Sequence, residues 1–154
     1  MKISVIAVGR LKERFWRDAA DEYLKRLKPY ADVRVIEIAD RDSGRNAARA
    51  LAEEGADVLR AIPASAYVVA LDSAGRQLSS EGFSANIDEL ALHGSSHLVF
   101  LIGGSVGLSA DVRTRSDAQL SLGPMTLPHN LARVVLLEQL YRAFRISRGE
   151  PYHK

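Results

Sequence analysis

The sequence predicts an α/β protein, a mostly parallel sheet with helices on both faces, and three observations carry that expectation. Apolar spacing switches between strand-like and helix-like five times along the chain, the pattern of a sheet wrapped by crossover helices. The length, 154 residues, matches one domain at roughly 150 residues each, large enough for one core without staples. No repeat, low-complexity stretch or linker divides the chain, so a single domain over 1–154 is expected.

The elements follow in order. Residues Lys2 to Val8 form a short β-branched run ended by Gly9, hence a buried strand. Between Leu11 and Leu27 the apolar positions 11, 15, 16, 19, 20, 23, 24 and 27 trace a helical stripe that stops before Pro29. Val33 to Ile38 alternates as a strand, with Arg34 and Glu37 on its less buried sides, and the polar stretch Asp40 to Arg45 is a loop. Asn46 can cap a helix reaching Ala61, ahead of Pro63. Tyr67 to Leu71 reads as a strand, and Ser79 or Ser80 opens a helix closing near His93-Gly94. The most hydrophobic strand, His97 to Ile102, is cut off by Gly103-Gly104. A short helix from about Ser109 to Arg115, a strand near Gln119 to Leu122, a Gly123-Pro124 turn and a long helix from about Asn130 to Ser147 complete the chain.

Composition narrows the function classes. Hydrophobic residues make up 47% and charged residues 26%, the balance of a globular protein. No apolar run approaches the roughly 18 residues of a membrane span, and the first apolar stretch, running into Arg10 and Lys12, is too short for a secretory leader. With no cysteine there is no disulfide framework, thiolate metal site or thiol nucleophile. A soluble cytoplasmic protein is the expectation. The net charge is only +2, but it is uneven: Arg10 to Lys28 holds seven Lys/Arg against four Asp/Glu, and His129 to Lys154 five against two. From Asp72 to Pro128 the count is three against six. Two basic ends around an acidic middle allow a polyanionic partner without demanding one.

In open α/β sheets ligands bind beyond the carboxyl ends of the strands. Three such ends stand out: Leu71-Asp72-Ser73-Ala74-Gly75, Ile102-Gly103-Gly104-Ser105-Val106-Gly107 and Leu122-Gly123-Pro124-Met125-Thr126-Leu127. Their glycines either admit a ligand close to backbone amides or simply make tight turns. The Gly103-Gly104-x-x-Gly107 run fits neither a dinucleotide fingerprint nor a phosphate loop, which disfavours a nicotinamide oxidoreductase. A neutral pocket with a hydrophobic rim fits better. His93 and His97 are spaced like a metal pair, but Gly94-Ser95-Ser96 breaks the helix they would need, so no metal is expected. His129, beside the 122–127 segment, is either a helix cap or a substrate contact. The last helix, with Leu131, Val134, Val135, Leu137, Leu140, Tyr141 and Phe144, is apolar nearly all round. Its second cover is either the monomer core or another subunit, a two-fold dimer being the commonest arrangement. Arg142, Arg145 and Arg148 form either a solvated stripe or, with the tail Pro151-Tyr152-His153, an RNA-contacting set.

The run Pro128-His129-x-Leu131-x-Arg133, with Glu138-Gln139-x-Tyr141-Arg142-Ala143 and Gly149-x-Pro151-Tyr152-His153, resembles the bacterial ribosomal RNA large subunit methyltransferase H family. Ile6-Ala7-Val8-Gly9, Glu22-Tyr23, Arg26-Leu27, Leu71-Asp72, Leu78-Ser79-Ser80-Glu81 with Phe83, and Ile102-Gly103-Gly104-x-x-Gly107-Leu108 are similar to it as well. The resemblance spans essentially the whole chain. It implies a SPOUT-class enzyme: a homodimer with a trefoil knot near the C-terminus, a feature that general topology would not suggest. It also implies S-adenosylmethionine as cofactor and N3 of a pseudouridine in 23S rRNA, within the assembled ribosome, as acceptor. By motif, the cofactor contacts would be Leu71, Gly103, Leu122, Gly123, Pro124, Met125, Thr126 and Leu127. His129 or His153 would take or relay the acceptor's proton and Arg133 or Arg142 would stabilise the developing anion. Arg142, Arg145, Tyr152, His153 and Lys154 would hold the RNA. Two other readings compete: a non-enzymatic RNA-binding or ribosome-assembly protein, and a SPOUT methyltransferase acting on tRNA.

Overall fold

The computed structural model describes residues 1–42 and 44–152. Its elements are β1 (Lys2–Val8), α1 (Arg14–Leu27), β2 (Asp32–Ile38), α2 (Ala47–Ala61), β3 (Tyr67–Gln77), α3 (Ser80–Leu92), β4 (His97–Ile102), α4 (Ala110–Arg115), β5 (Ala118–Ser121) and α5 (His129–Ser147). The strands form one sheet in the order β2-β1-β4-β3-β5, and every pairing is parallel.

Strand alternation divides the core in two. Ile3, Val5 and Ala7 of β1, with Leu98, Phe100 and Ile102 of β4, pack against α1, α3 and α5. Their neighbours Ile6, Val8, Val99 and Leu101 face the opposite way, towards Val58 of α2 and Val112 of α4. Leu136, Leu137 and Leu140 of α5 are fully buried, each contributing roughly 1.5–3 kcal/mol by leaving water. The other apolar positions of that helix, among them Leu131, Val134 and Val135, are only half-buried, so the chain by itself does not cover α5 all round.

Local chemistry sets the helix starts. The Asn46 side chain accepts from the Arg49 N–H at 3.0 Å, Ser79 Oγ from Gly82 at 3.0 Å, and Ser109 Oγ from Val112 at 3.3 Å. Three boundaries differ from expectation. α1 begins at Arg14 because Leu11 is drawn into the core and its N–H donates to Glu37 Oε2 at 3.3 Å. α5 begins at His129, with Pro128 at the cap position and no side-chain cap bond, so His129 is not a cap. β3 does not end at Leu71: the chain loops out over Asp72 to Gly75 and resumes, Leu71 and Arg76 both pairing with Leu120. The Asp72 carboxylate folds that loop by accepting the Ala74 N–H at 2.9 Å.

Candidate functional site

The tips of β3, β4 and β5 and the start of α5 enclose a hollow of about 420 Å³, within the size range of small-molecule sites. Of the eight residues expected to meet a cofactor, Leu71, Gly103, Leu122, Gly123, Met125, Thr126 and Leu127 line it. Pro124 is exposed and is not part of the lining. The 103–107 loop owes its shape to glycine. A Cβ on Gly103 would stand 2.7 Å from the Gly107 carbonyl carbon, and Gly107 has φ of +77°. The close approach permitted at Gly103 is therefore to the loop's own backbone, which closes through the Gly107 N–H on the Gly104 carbonyl at 3.0 Å. The second loop is pinned by Ser121, whose Oγ takes the Gly123 N–H at 3.2 Å and donates to the Gly123 carbonyl at 3.0 Å. Gly123, at φ of +133°, occupies backbone space that side chains disfavour. The result is a floor of backbone groups under an apolar cover, with Met125 82% exposed at its edge. Such a cavity suits a flat heteroaromatic ring read by amides and carbonyls, as the adenine of S-adenosylmethionine would be.

Sequence reasoning did not single out Arg113 or Asp72 as site residues, yet both line the hollow and pair, Nε to Oδ2, at 3.0 Å. Asp72 lay within a highlighted strand tip; nothing local in the sequence marks Arg113, which α4 brings over from the next crossover. His129 lines the same hollow and also a second one of about 700 Å³, rimmed by Arg10, Lys12, Glu13, Glu37 and Asp40. It therefore stands between the two.

The other expected groups lie elsewhere. Arg133 is 3% exposed, donates from Nη1 to Glu37 Oε2 at 2.7 Å and from Nη2 to the Gly9 carbonyl at 2.9 Å, and does not line the hollow. Arg142 pairs with Glu138 and lies 3.8 Å over the Tyr152 ring. Arg145 binds Glu150 at 2.6 Å and the Pro151 carbonyl. Tyr152 donates to Glu138 at 2.7 Å, and its burial together with that bond pushes the phenol well above its ordinary pKa. The tail is thus laid back along α5. His153 and Lys154 lie outside the described residues. His97 bonds Ser4 and His93 bonds the Glu89 carbonyl, each at 2.8 Å. Among the described residues no group of three or more metal-binding side chains gathers, and no helix is long and apolar enough to cross a membrane.

A parallel α/β sheet with a cavity formed by glycine-shaped loops at its strand tips, leading into a final helix, defines a nucleoside-type binding protein of the methyltransferase kind. The family model described as "Predicted SPOUT methyltransferase" matches residues 1–153, and the chain belongs to the SPOUT methyltransferase family. It is 52% identical over 159 aligned residues to a ribosomal RNA large subunit methyltransferase H of Carboxydothermus hydrogenoformans, covering all of both chains. It is 50% identical, again over the full length of both, to proteins of that name from Bacillus thuringiensis and Bacillus anthracis.

Proposed function

We propose that the protein methylates N3 of a pseudouridine in 23S rRNA, using S-adenosylmethionine, on the assembled ribosome in the cytoplasm. The observation that carries this reading is the hollow at the strand tips, seven of whose lining residues are those the family resemblance assigned to the cofactor, with His129 at its edge. Leu71, Gly103 and the 122–127 segment would hold the cofactor. When bound, it supplies an electrophilic methyl group on a sulfonium centre.

The residues then have two tasks. They must align an in-line attack and accept the proton from a weakly acidic imide. His129 is placed for the second task, because a base entering from the 700 Å³ hollow would meet its ring beside the donor cavity. Arg142 and Tyr152, with Arg145, His153 and Lys154, are the groups suited to grip RNA and to offset charge on the base. Arg133 no longer competes for that role, since its guanidinium is buried and its donors are engaged.

From His129 to Arg142 the helix rises about 20 Å at ~1.5 Å per residue, too far for both to act on one base within a chain. A homodimer that sets the tail of one copy beside His129 of the other removes the difficulty, and the half-covered α5 supports it. The trefoil knot of the family would form where the 122–127 segment and α5 close the cofactor site.

Calorimetric titration with S-adenosylmethionine, followed by incubation with ribosomes and mass spectrometry of 23S rRNA fragments, tests the reading. Saturable binding and a methyl group on a pseudouridine are expected. Methylation confined to tRNA would favour a tRNA enzyme, and RNA binding without cofactor binding, ribosomes included, would leave a non-enzymatic RNA-binding protein.

A further inference from the structure

The hollow at the strand tips is lined by backbone, hydroxyl and apolar groups, with two exceptions besides His129. Asp72 and Arg113 are the only fully charged side chains among its described lining residues. They stand in contact, Nε to Oδ2 at 3.0 Å, and their exposures differ: the Asp72 side chain is 11% exposed and that of Arg113 49%. The carboxylate is also fixed in orientation, because its other oxygen accepts the Ala74 N–H at 2.9 Å. Each carboxylate oxygen can accept more than one hydrogen bond, so Asp72 retains acceptor capacity on the cavity side. Arg113 is bonded through Nε alone among the described residues, which leaves the four N–H donors of its outer fork open.

The pair also occupies a particular side of the cavity. Arg113 belongs to α4, on the α2/α4 face of the sheet, whereas the 122–127 segment leads into α5 on the other face. A ligand spanning the strand tips would thus meet an apolar, amide-lined end and a charged end of mixed sign.

We propose that Asp72 and Arg113 form a clamp for the amino-acid headgroup of the methyl donor, Asp72 taking the α-ammonium and the open fork of Arg113 the α-carboxylate. This rests on the donor-site reading given above and extends it. The clamp makes the site selective for an adenosine thioether that carries a zwitterion over one that ends in an uncharged methyl group. A guanidinium suits this task because its planar fork matches a carboxylate in two parallel bonds.

The test is calorimetric binding of S-adenosylhomocysteine and of 5′-methylthioadenosine to the purified full-length chain and to Arg113→Gln and Asp72→Asn, with thermal melts as folding controls. The two ligands share the adenosine and the thioether, and only the first carries the zwitterion. The wild type is expected to favour S-adenosylhomocysteine by about tenfold or more, the scale of one charge-assisted bond. Either substitution should remove that preference while leaving methylthioadenosine affinity unchanged. Arg113→Lys, which keeps the charge and loses the fork, should retain part of the preference. Equal weakening of both ligands would reduce the pair to a tie between α4 and the β3 loop and overturn the clamp. A wild type that binds both ligands alike would overturn it too while leaving the donor site standing. Binding of neither ligand would take down the donor-site reading and the clamp with it.

Discussion

A buried carboxylate is costly unless its oxygens are bonded, and Glu54 on α2 meets that condition only halfway. It is 2% exposed; Oε1 accepts the Arg41 N–H at 3.0 Å, and Oε2 has no partner among the described residues. Burial, with the nearby Asp40 carboxylate, raises its pKa despite the Arg41 bond. A raised carboxyl pKa means the folded state holds the proton more tightly than the unfolded one. The stabilising contribution is therefore complete below the unfolded value of about 4.3 and is lost as pH rises through the folded value. Glu54→Gln imitates the protonated form. It is expected to raise Tm at neutral pH by about 2–4 °C, the shift of ~1 kcal/mol in a chain this size, with the gain vanishing near pH 4. A gain that persists at low pH would show that it is not protonation that is being relieved. Arg133 is the opposite case, a buried charge with its partners in place. Because Glu37 is 36% exposed, Arg133→Met should cost about 2 kcal/mol in urea unfolding, below the ~3–5 of a fully buried pair. Methylation by the protein that remains folded should be spared. The sequence already placed Glu37 on a less buried strand face, but its partner lies 96 positions away, and no local pattern carries such a pairing.

At the scale of elements, what could be read depended on whether the cause was local. Asn46, Ser79 and Ser109 announce α2, α3 and α4 through side chains that satisfy nearby amides, and the strands of the core announce themselves by their β-branched runs. The β3 loop is different. Asp72-Ser73-Ala74-Gly75 reads as a turn, and it is one, but its resumption as a strand depends on β5, more than forty positions on. Gly75 is what permits it, since a Cβ there would lie 2.7 Å from the Gln119 carbonyl carbon and 2.8 Å from the Leu120 nitrogen. Gly75→Ala should push β5 away from β3, cost about 1–3 kcal/mol as overpacking against backbone does, and speed hydrogen exchange at Leu120 and Ser121. Cofactor affinity should fall with it, because Leu71 and Leu122 flank that junction. Ala74→Ser, at an exposed position of the same loop, should change neither; if it did, the loop sequence rather than the close contact would be the cause.

At the scale of the whole molecule, the separation along α5 makes a prediction that no single substitution can. His129 borders the cofactor cavity, whereas Tyr152 is held against Glu138 and Arg142 near the far end of the same helix. If one reaction needs both ends, the ends must come from different copies. His129→Ala and Tyr152→Ala should each lower methylation by about a hundredfold or more, the scale of a lost proton acceptor or a lost base contact. Unfolded together and refolded as a mixture, the two variants form mixed dimers in half of all pairings. One of the two sites in each mixed dimer then combines an intact His129 with an intact tail. Activity should return to about a quarter of wild type at equal mixing, as random assembly of a two-fold dimer requires. Refolding each variant alone should restore nothing. If the mixture also stays inactive while light scattering shows dimers, both groups act within one chain, and the tail must leave Glu138 to reach the cavity. If scattering shows monomers, the half-covered face of α5 needs another explanation and the shared site is gone.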